Sequence, residues 1–277
     1  MTETDDLDQY AGRCEAVFRS MFQRARQNEH LQFAMALSPE FRGEQVEGWS
    51  TAADALSALD QFKELVEELP GSRPVKVRVA LALYVHMSEA SGLYECLKNM
   101  MRIASGEDYS WLPFNDLVER RRARGAIIAP NSGRVMRDLL AHADELGLKE
   151  FKSVVEEAFD AELRNAVAHA DYIVWPDGIR LRKRHGGHPR IVGFQEFAEK
   201  LNKALNFFDV LARYIERTRA TYSTPVLIEG RLNSRDKVMP AIISYDEKFG
   251  SFGFQQGFGM DQRAAKIGAT TVTPSLP

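Results

Sequence analysis

Apolar side chains that return every three or four residues over most of the chain constrain its fold more than any other feature. Leu7, Tyr10, Cys14, Val17, Phe18, Met21 and Phe22 form one such stripe, which predicts an amphipathic helix running to about Ala36. Ser50 or Thr51 caps a second helix carrying Ala55, Leu56, Leu59, Phe62, Leu65 and Leu69, and Pro70-Gly71 stops it. The most hydrophobic run, Val75 to Ile103, predicts a central helix. Between Asp108 and Pro130 the period fails around Trp111, Pro113 and the cluster Glu119 to Gly125, so this stretch reads as loop with at most a short helix. Asn131 or Ser132 opens another helix that Gly147 ends, and Phe151, Val155, Phe159, Leu163, Ala166 and Ala170 mark the next, the two forming an antiparallel hairpin. Tyr172 to Trp175, the turn Pro176-Asp177-Gly178, and Ile179 to Leu181 read as strand, reversal and strand. The last strong helix runs from Phe194 to about Thr218 with Phe197, Leu201, Leu205, Phe208, Leu211 and Ile215 on one stripe.

Beyond Thr224 the helical period disappears. PVLIEG, VMPAIISY and FGSFGFQQGFGM read as short strands and turns, and TTVTPSLP as a flexible tail with little to bury. The expected fold class is mainly α: an antiparallel helical bundle with a small β-hairpin and a short β-containing C-terminal tail. Its expected segments are an N-terminal helical region over 1–106, a connector or lid over 107–130, a helical bundle over 131–222, and strands with a flexible tail over 223–277.

Composition narrows the function classes. The 277 residues carry 36 Lys and Arg against 39 Asp and Glu, a net charge of −3, so binding of a polyanion has to come from a local patch. Such a patch exists between Gly178 and Arg190, where Arg180, Arg182, Lys183, Arg184 and Arg190 occur with no acidic residue, whereas residues 1–70 hold more than twice as many acids as bases. No apolar stretch is long enough to span a membrane, and the acidic start has no signal-peptide pattern, so a cytoplasmic protein without membrane contact is expected. Cys14 and Cys96 are the only cysteines, too few for a disulfide framework or a four-thiolate zinc site. No Walker loop, dinucleotide glycine fingerprint or nucleophile elbow occurs, which disfavours nucleotide hydrolysis and serine hydrolase chemistry.

The residues with the most chemical content are Arg164, Asn165 and His169, near the end of a predicted helix. At ~100° per residue, Asn165 and His169 lie within about 40° of each other, while Arg164 points roughly 140° from His169 and depends on its long side chain to reach the same place. A guanidinium neutralises phosphate charge, an imidazole titrating near neutrality exchanges protons, and an amide orients a partner. That set suits cleavage of an RNA phosphodiester without a metal or other cofactor. One imidazole is poorly suited to be base and acid in the same turnover, so a second copy of the motif across a two-fold axis would help, and a homodimer with a shared cleft is expected. Arg180, Arg182, Lys183 and Arg184 are the candidate RNA-binding residues.

Arg, a polar residue, three more and then His resembles the motif of the HEPN superfamily, and the hairpin Tyr172 to Leu181 followed by the Phe194 helix is similar to the end of HEPN-type bundles. The resemblance covers roughly Asn131 to Thr218. It implies metal-independent endoribonuclease activity in a dimer, with Arg164, Asn165 and His169 as the catalytic set, and a role in toxin-antitoxin, abortive-infection or phage-defence systems, with an antitoxin or other protein partner. One toxin group has a tyrosine two residues after the His as a target of antitoxin modification; here Tyr172 stands three residues after His169, a departure from that pattern. Some members of the superfamily are catalytically silent. The alternative is therefore a non-catalytic dimerisation and interaction module, in which Asn165 and His169 cap the helix end and Arg164 pairs with Asp160 or Asp171.

Weaker signals have plainer readings. His185-Gly186-Gly187-His188 lacks a carboxylate or thiolate at matching spacing for a metal site. Arg120 to Arg124 form a second basic strip, whose default is a solvated surface. Phe249, Phe252, Phe254 and Phe258 suggest packing of an appended strand before an RNA-stacking platform. Met87, Met100 and Met101 read as core fillers.

Overall fold

A computed structural model describes residues 3–38, 51–68, 70–121, 126–183 and 186–277. The chain is mainly α-helical, with two small three-stranded antiparallel sheets and a two-stranded ribbon among the described residues. It forms two compact units, each assembled from three stretches: 1–14, 51–91 and 150–210 in the first, 15–50, 92–149 and 211–277 in the second. Of the segments read from the sequence, 1–106 and 131–222 each contribute to both units, and 107–130 and 223–277 fall in the second. No described helix is long and apolar enough to cross a membrane.

Three of the predicted long helices are broken. The first divides into α1 (Glu3–Asn28) and α2 (His30–Leu37) at Glu29, whose backbone is extended at φ −153° and ψ 99°. Side-chain bonds at this break act outside the helix: Asn28 Nδ2 donates to the carbonyls of Ile103 and Ala104 at 3.0 and 2.9 Å, and Glu29 Oε2 lies 3.3 Å from Arg231 Nε. After α3 (Thr51–Glu68), the run expected as one central helix is α4 (Arg73–Ser88) and α5 (Ser91–Ala104). Ser88 Oγ turns back to the Tyr84 carbonyl at 2.8 Å, and Ser91-Gly92 follows, residues that hold a helix interior weakly. The third break separates α7 (Lys149–Ala158) from α8 (Ala161–Ala168), and it shapes the candidate site.

In the first unit, α8 packs on α4, and β3 (Tyr172–Trp175), β4 (Gly178–Leu181) and β5 (Arg190–Val192) form an antiparallel sheet in the order β3-β4-β5. The hairpin agrees with the sequence reading; β5 is an addition to it. Gly178 is essential to this arrangement, because its φ is +148° and a Cβ there would stand 2.4 Å from the Val192 carbonyl oxygen on β5. The unit's core joins Tyr84, Phe151, Val154, Val155 and Leu163 to Phe197, Phe207 and Phe208 of α9 (Phe194–Ala220), with the Phe159 ring edge-on to Phe207 and Phe208. Helix α1 is stitched to α7 by Tyr10 Oη donating to the Val154 carbonyl at 2.7 Å and by Arg13 reaching Glu150 and Glu157.

In the second unit, α6 (Ser132–Glu145) starts at Asn131, whose side chain accepts from the Arg134 amide. It ends at Gly147 in the left-handed region, as its sequence predicted. The stretch expected to be mostly loop contains a 3-10 turn at Asn115–Leu117 and the ribbon β1 (Glu119–Arg121) with β2 (Ala126–Ile128), short elements without a readable period. The three predicted C-terminal strands are present as β6 (Val226–Gly230), β7 (Met239–Asp246) and β8 (Ser251–Gln256), a meander covered by α2 and by an unforeseen helix, α10 (Met260–Ile267). Phe252 packs on Tyr222, Tyr245 and Phe254, which makes it part of the sheet's own packing. The C-terminal residues make specific bonds: Thr270 bridges to Val226, and Arg26 Nη1 donates to the Pro274 carbonyl at 2.6 Å.

His30, at the head of α2, holds its Nε2 2.8 Å from the Tyr222 hydroxyl. Burial first, and the charge of Arg26 second, push its pKa from 6.5 down to about 4. The unfolded chain therefore takes up this proton at higher pH than the folded one. The stability contributed by neutral His30 is present above about pH 6.5 and is lost as pH falls towards 4, by up to about 3 kcal/mol. Urea unfolding across that window is expected to show a pH slope that flattens in His30→Gln; equal slopes in both proteins would assign the acid sensitivity elsewhere.

Candidate functional site

The site begins at Asp160. Its backbone lies in the extended region, and its Oδ1 accepts from the amides of Glu162 and Leu163 at 3.1 and 3.0 Å, which starts α8 anew after α7. Tyr84 Oη locks the break from the side: it donates to the Ala158 carbonyl at 3.0 Å and accepts from the Asp160 amide at 2.7 Å. Asp160 Oδ2 pairs with Arg190 Nη2 of β5 at 2.7 Å. Burial raises the Asp160 carboxyl's pKa, but the hydrogen bonds from Arg190 and the Leu163 amide outweigh it and hold the group below the ordinary aspartate value. Arg190, in the basic run, is thereby a structural cation that also reaches Glu162 and Glu196.

Helix α8 ends after two turns. His169 is its C-cap, with φ −104° and ψ 6°, and Ala170 takes a left-handed φ of +55°. The Ala170 amide donates to Val167 and the Asp171 amide to Ala166, the paired bonds of a Schellman ending with alanine where glycine is usual. The stripe expected to run unbroken from Phe151 to Ala170 is therefore interrupted at Asp160. Only the turn Asn165 to His169 retains the helical relation used to place the motif, with the His169 amide bonded to the Asn165 carbonyl at 3.1 Å.

Asn165 and His169 are exposed on this last turn. Arg164 reaches back to it: Nη1 donates to Asn165 Oδ1 at 2.7 Å. On its other side the guanidinium makes an ion pair with Glu89 at the end of α4, while Asp160 is paired with Arg190. Its Nε is buried without a hydrogen-bond partner, and burial lowers the pKa of a group that stays charged throughout the accessible range. Arg164 is thus gathered to Asn165, while the acid that meets it comes from a segment distant in sequence. No reading of the motif alone could find Glu89.

The basic run is less available than its composition suggested. Arg180 pairs with Asp177 through two contacts, at 2.8 and 3.3 Å, and lies over the Trp175 ring. Lys183 Nζ is 3.8 Å from Glu162. Arg182 is exposed, its amide continues the ladder to the Asp171 carbonyl, and among the described residues its side chain meets no acid. Arg184 and His185 lie outside the described residues, as do 122–125 of the second basic strip; His188 is exposed. No group of three or more His, Cys, Asp or Glu side chains among the described residues is placed to hold a metal ion.

One further polar cluster escaped the sequence reading. In the second unit, buried Lys98 lies 2.9 Å from Asp138 and 3.1 Å from His142 Nδ1, and His142 Nε2 lies 3.3 Å from Ser105 Oγ. An ammonium only donates, so Nδ1 must accept and the ring proton sits on Nε2, pointing at the serine. That polarity is opposite to the one a base needs to activate a hydroxyl. Burial and the Lys98 charge lower the His142 pKa, against the nearby Glu107, Glu145 and Asp138 carboxylates.

Comparison with protein-family models, curated proteins and solved structures returns no match. Replacing Asp160 by Ala removes a helix cap and one of the three carboxylates on Arg190, for an expected loss of roughly 1–3 kcal/mol in urea unfolding, with Asp160→Asn recovering the cap portion. A loss below about 1 kcal/mol would show that α8 is anchored by packing alone.

Proposed function

We propose that this chain is a metal-independent endoribonuclease of HEPN type, acting as a cytoplasmic homodimer and serving a toxin or phage-defence role. The observation that carries the reading is the bond from Arg164 Nη1 to Asn165 Oδ1 at the exposed end of α8, one helical turn before exposed His169. It ties the cation of the motif to its amide, one turn before the titratable ring. The helices around it are taken as a HEPN-like antiparallel bundle, with the hairpin and α9 in the order that resemblance implies.

In this reading Arg164 binds the scissile phosphate. Its buried, unpartnered Nε–H is a donor kept from water, and a phosphate oxygen is the kind of acceptor that satisfies it with charge assistance. His169 removes the proton from the 2′-hydroxyl as that oxygen attacks phosphorus. The imidazolium of a second protomer protonates the departing 5′-oxygen, leaving a 2′,3′-cyclic phosphate and a 5′-hydroxyl. Asn165 orients the Arg164 fork. Exposure of His169 supports the exchange of protons with bulk water between turnovers.

The second reading, a non-catalytic dimerisation and interaction module that recruits a protein partner, is favoured by one observation: Glu89 already occupies the guanidinium. Purified protein incubated with mixed RNA in EDTA separates the two. Cleavage by the wild type, reduced about a hundredfold or more in His169→Ala, is expected for the nuclease. Equal cleavage by both proteins, or none by the wild type, overturns it.

Glu89 provides an independent measurement. If substrate phosphate replaces Glu89 on Arg164, Glu89→Gln is expected to lower KM for RNA about three- to tenfold with kcat little changed, since the carboxylate competes only in the free enzyme. An unchanged KM would mean that the ion pair does not stand in the way of substrate.

A further inference from the structure

The sheet β3-β4-β5 has two unlike faces. Its register sets Val174, Ile179 and Val192 in one row and Ile173, Arg180 and Ile191 in the next, and side chains of successive rows leave on opposite sides. Ile179 and Val192 are fully buried, whereas Ile173, Ile191 and, two residues along β3 from Ile173, Trp175 are 57%, 49% and 52% exposed. Trp175 pairs across the hairpin with Gly178, which has no side chain to set against the indole. No larger residue fits at Gly178 either, since the β5 backbone occupies the position of a Cβ. The Arg180 guanidinium lies 5.2 Å from the Trp175 ring centroid, on the face that Arg182 continues.

We propose that this outward face is a stacking platform for single-stranded RNA, with Trp175 as the plate, Ile173 and Ile191 as its apolar margins, and Arg180 and Arg182 as phosphate contacts. A base offers a π-face to the indole whatever its sequence, and the phosphates next to it match the guanidinia. Charge complementarity selects this occupant over a second copy of the chain. An isologous contact would set Arg180 and Arg182 against themselves, residues 178–190 contain no acid to answer them, and Asp177 is already taken by Arg180. Trp175 is six residues from His169, at most about 20 Å along the chain, so a strand held here extends to the end of α8. This last step rests on the nuclease reading; the stacking surface does not.

The test uses the full chain carrying His169→Ala, to keep RNA intact, and fluorescence anisotropy of a labelled oligouridine of about 12 nucleotides. Adding Trp175→Ala is expected to weaken binding about tenfold or more, Trp175→Phe to restore most of it, and Arg180→Ala to weaken it and reduce the salt dependence, with unfolding curves close to the parent's. Parent-like affinity in Trp175→Ala overturns the platform, as does failure of the parent to bind the oligonucleotide at low salt. Displacement by poly-glutamate more readily than by polyuridine assigns the face to an acidic protein and overturns it too. So does loss of self-association in Trp175→Ala with RNA affinity unchanged, which assigns the face to a contact between copies. Cleavage by the wild type beside unaltered RNA affinity in Trp175→Ala leaves the nuclease standing and removes the platform. Binding that depends on Trp175, in a chain that cleaves nothing, does the reverse.

Discussion

The hydroxyl of Tyr84 and the carboxylate of Asp160 together hold the point on which the candidate site depends. Between Ala158 and Ala161 the chain leaves one helix and starts another, which frees a carbonyl and several amides. Tyr84 satisfies the Ala158 carbonyl and the Asp160 amide, and Asp160 satisfies two amides of α8 while neutralising Arg190 on β5. One side chain from α4 and one from the break thus tie α7, α8 and the sheet together. Orphaned polar groups buried at such a corner would each cost on the order of 1–3 kcal/mol, so the corner has a single well-satisfied arrangement.

That anchoring has a chemical consequence. With its first turn fixed, α8 is short enough that Arg164 in its middle and His169 at its end lie about 7–8 Å apart along its axis, and the left-handed Ala170 then turns the chain sharply into β3. Alanine in the left-handed region carries strain of about 1–2 kcal/mol, which the Schellman bonds and the hairpin ladder hold in place. The same chain direction places the exposed row of β3 immediately after His169. The exposed end of α8 and the adjoining face of the sheet follow from one helix ending.

Arg164 shows how the tertiary setting changes the meaning of a motif. Along the helix it points away from His169, yet its fork reaches Asn165 on one side and Glu89 on the other. Arg180 and Lys183 are likewise engaged by Asp177 and Glu162, so the run of five cations presents far less free charge than its composition implies. Net attraction for a polyanion then depends on exchange of these carboxylates for phosphates, a competition in which salt screens both partners.

Local sequence determined the mainly helical character, a helix start at Asn131 or Ser132 and its stop at Gly147, the hairpin turn at Pro176-Asp177-Gly178 and the three C-terminal strands, because each depends on residues close to one another in sequence. The Arg-Asn-x-x-x-His spacing likewise marked the candidate residues without any fold. Tertiary structure decided the breaks at Glu29, Glu89–Ala90 and Asp160, the third strand β5, and the Glu89 partner of Arg164. At Glu29 and Asp160 polar side chains bond to groups remote in the chain, gaining more than helix continuation offers, and a local period carries no trace of such partners.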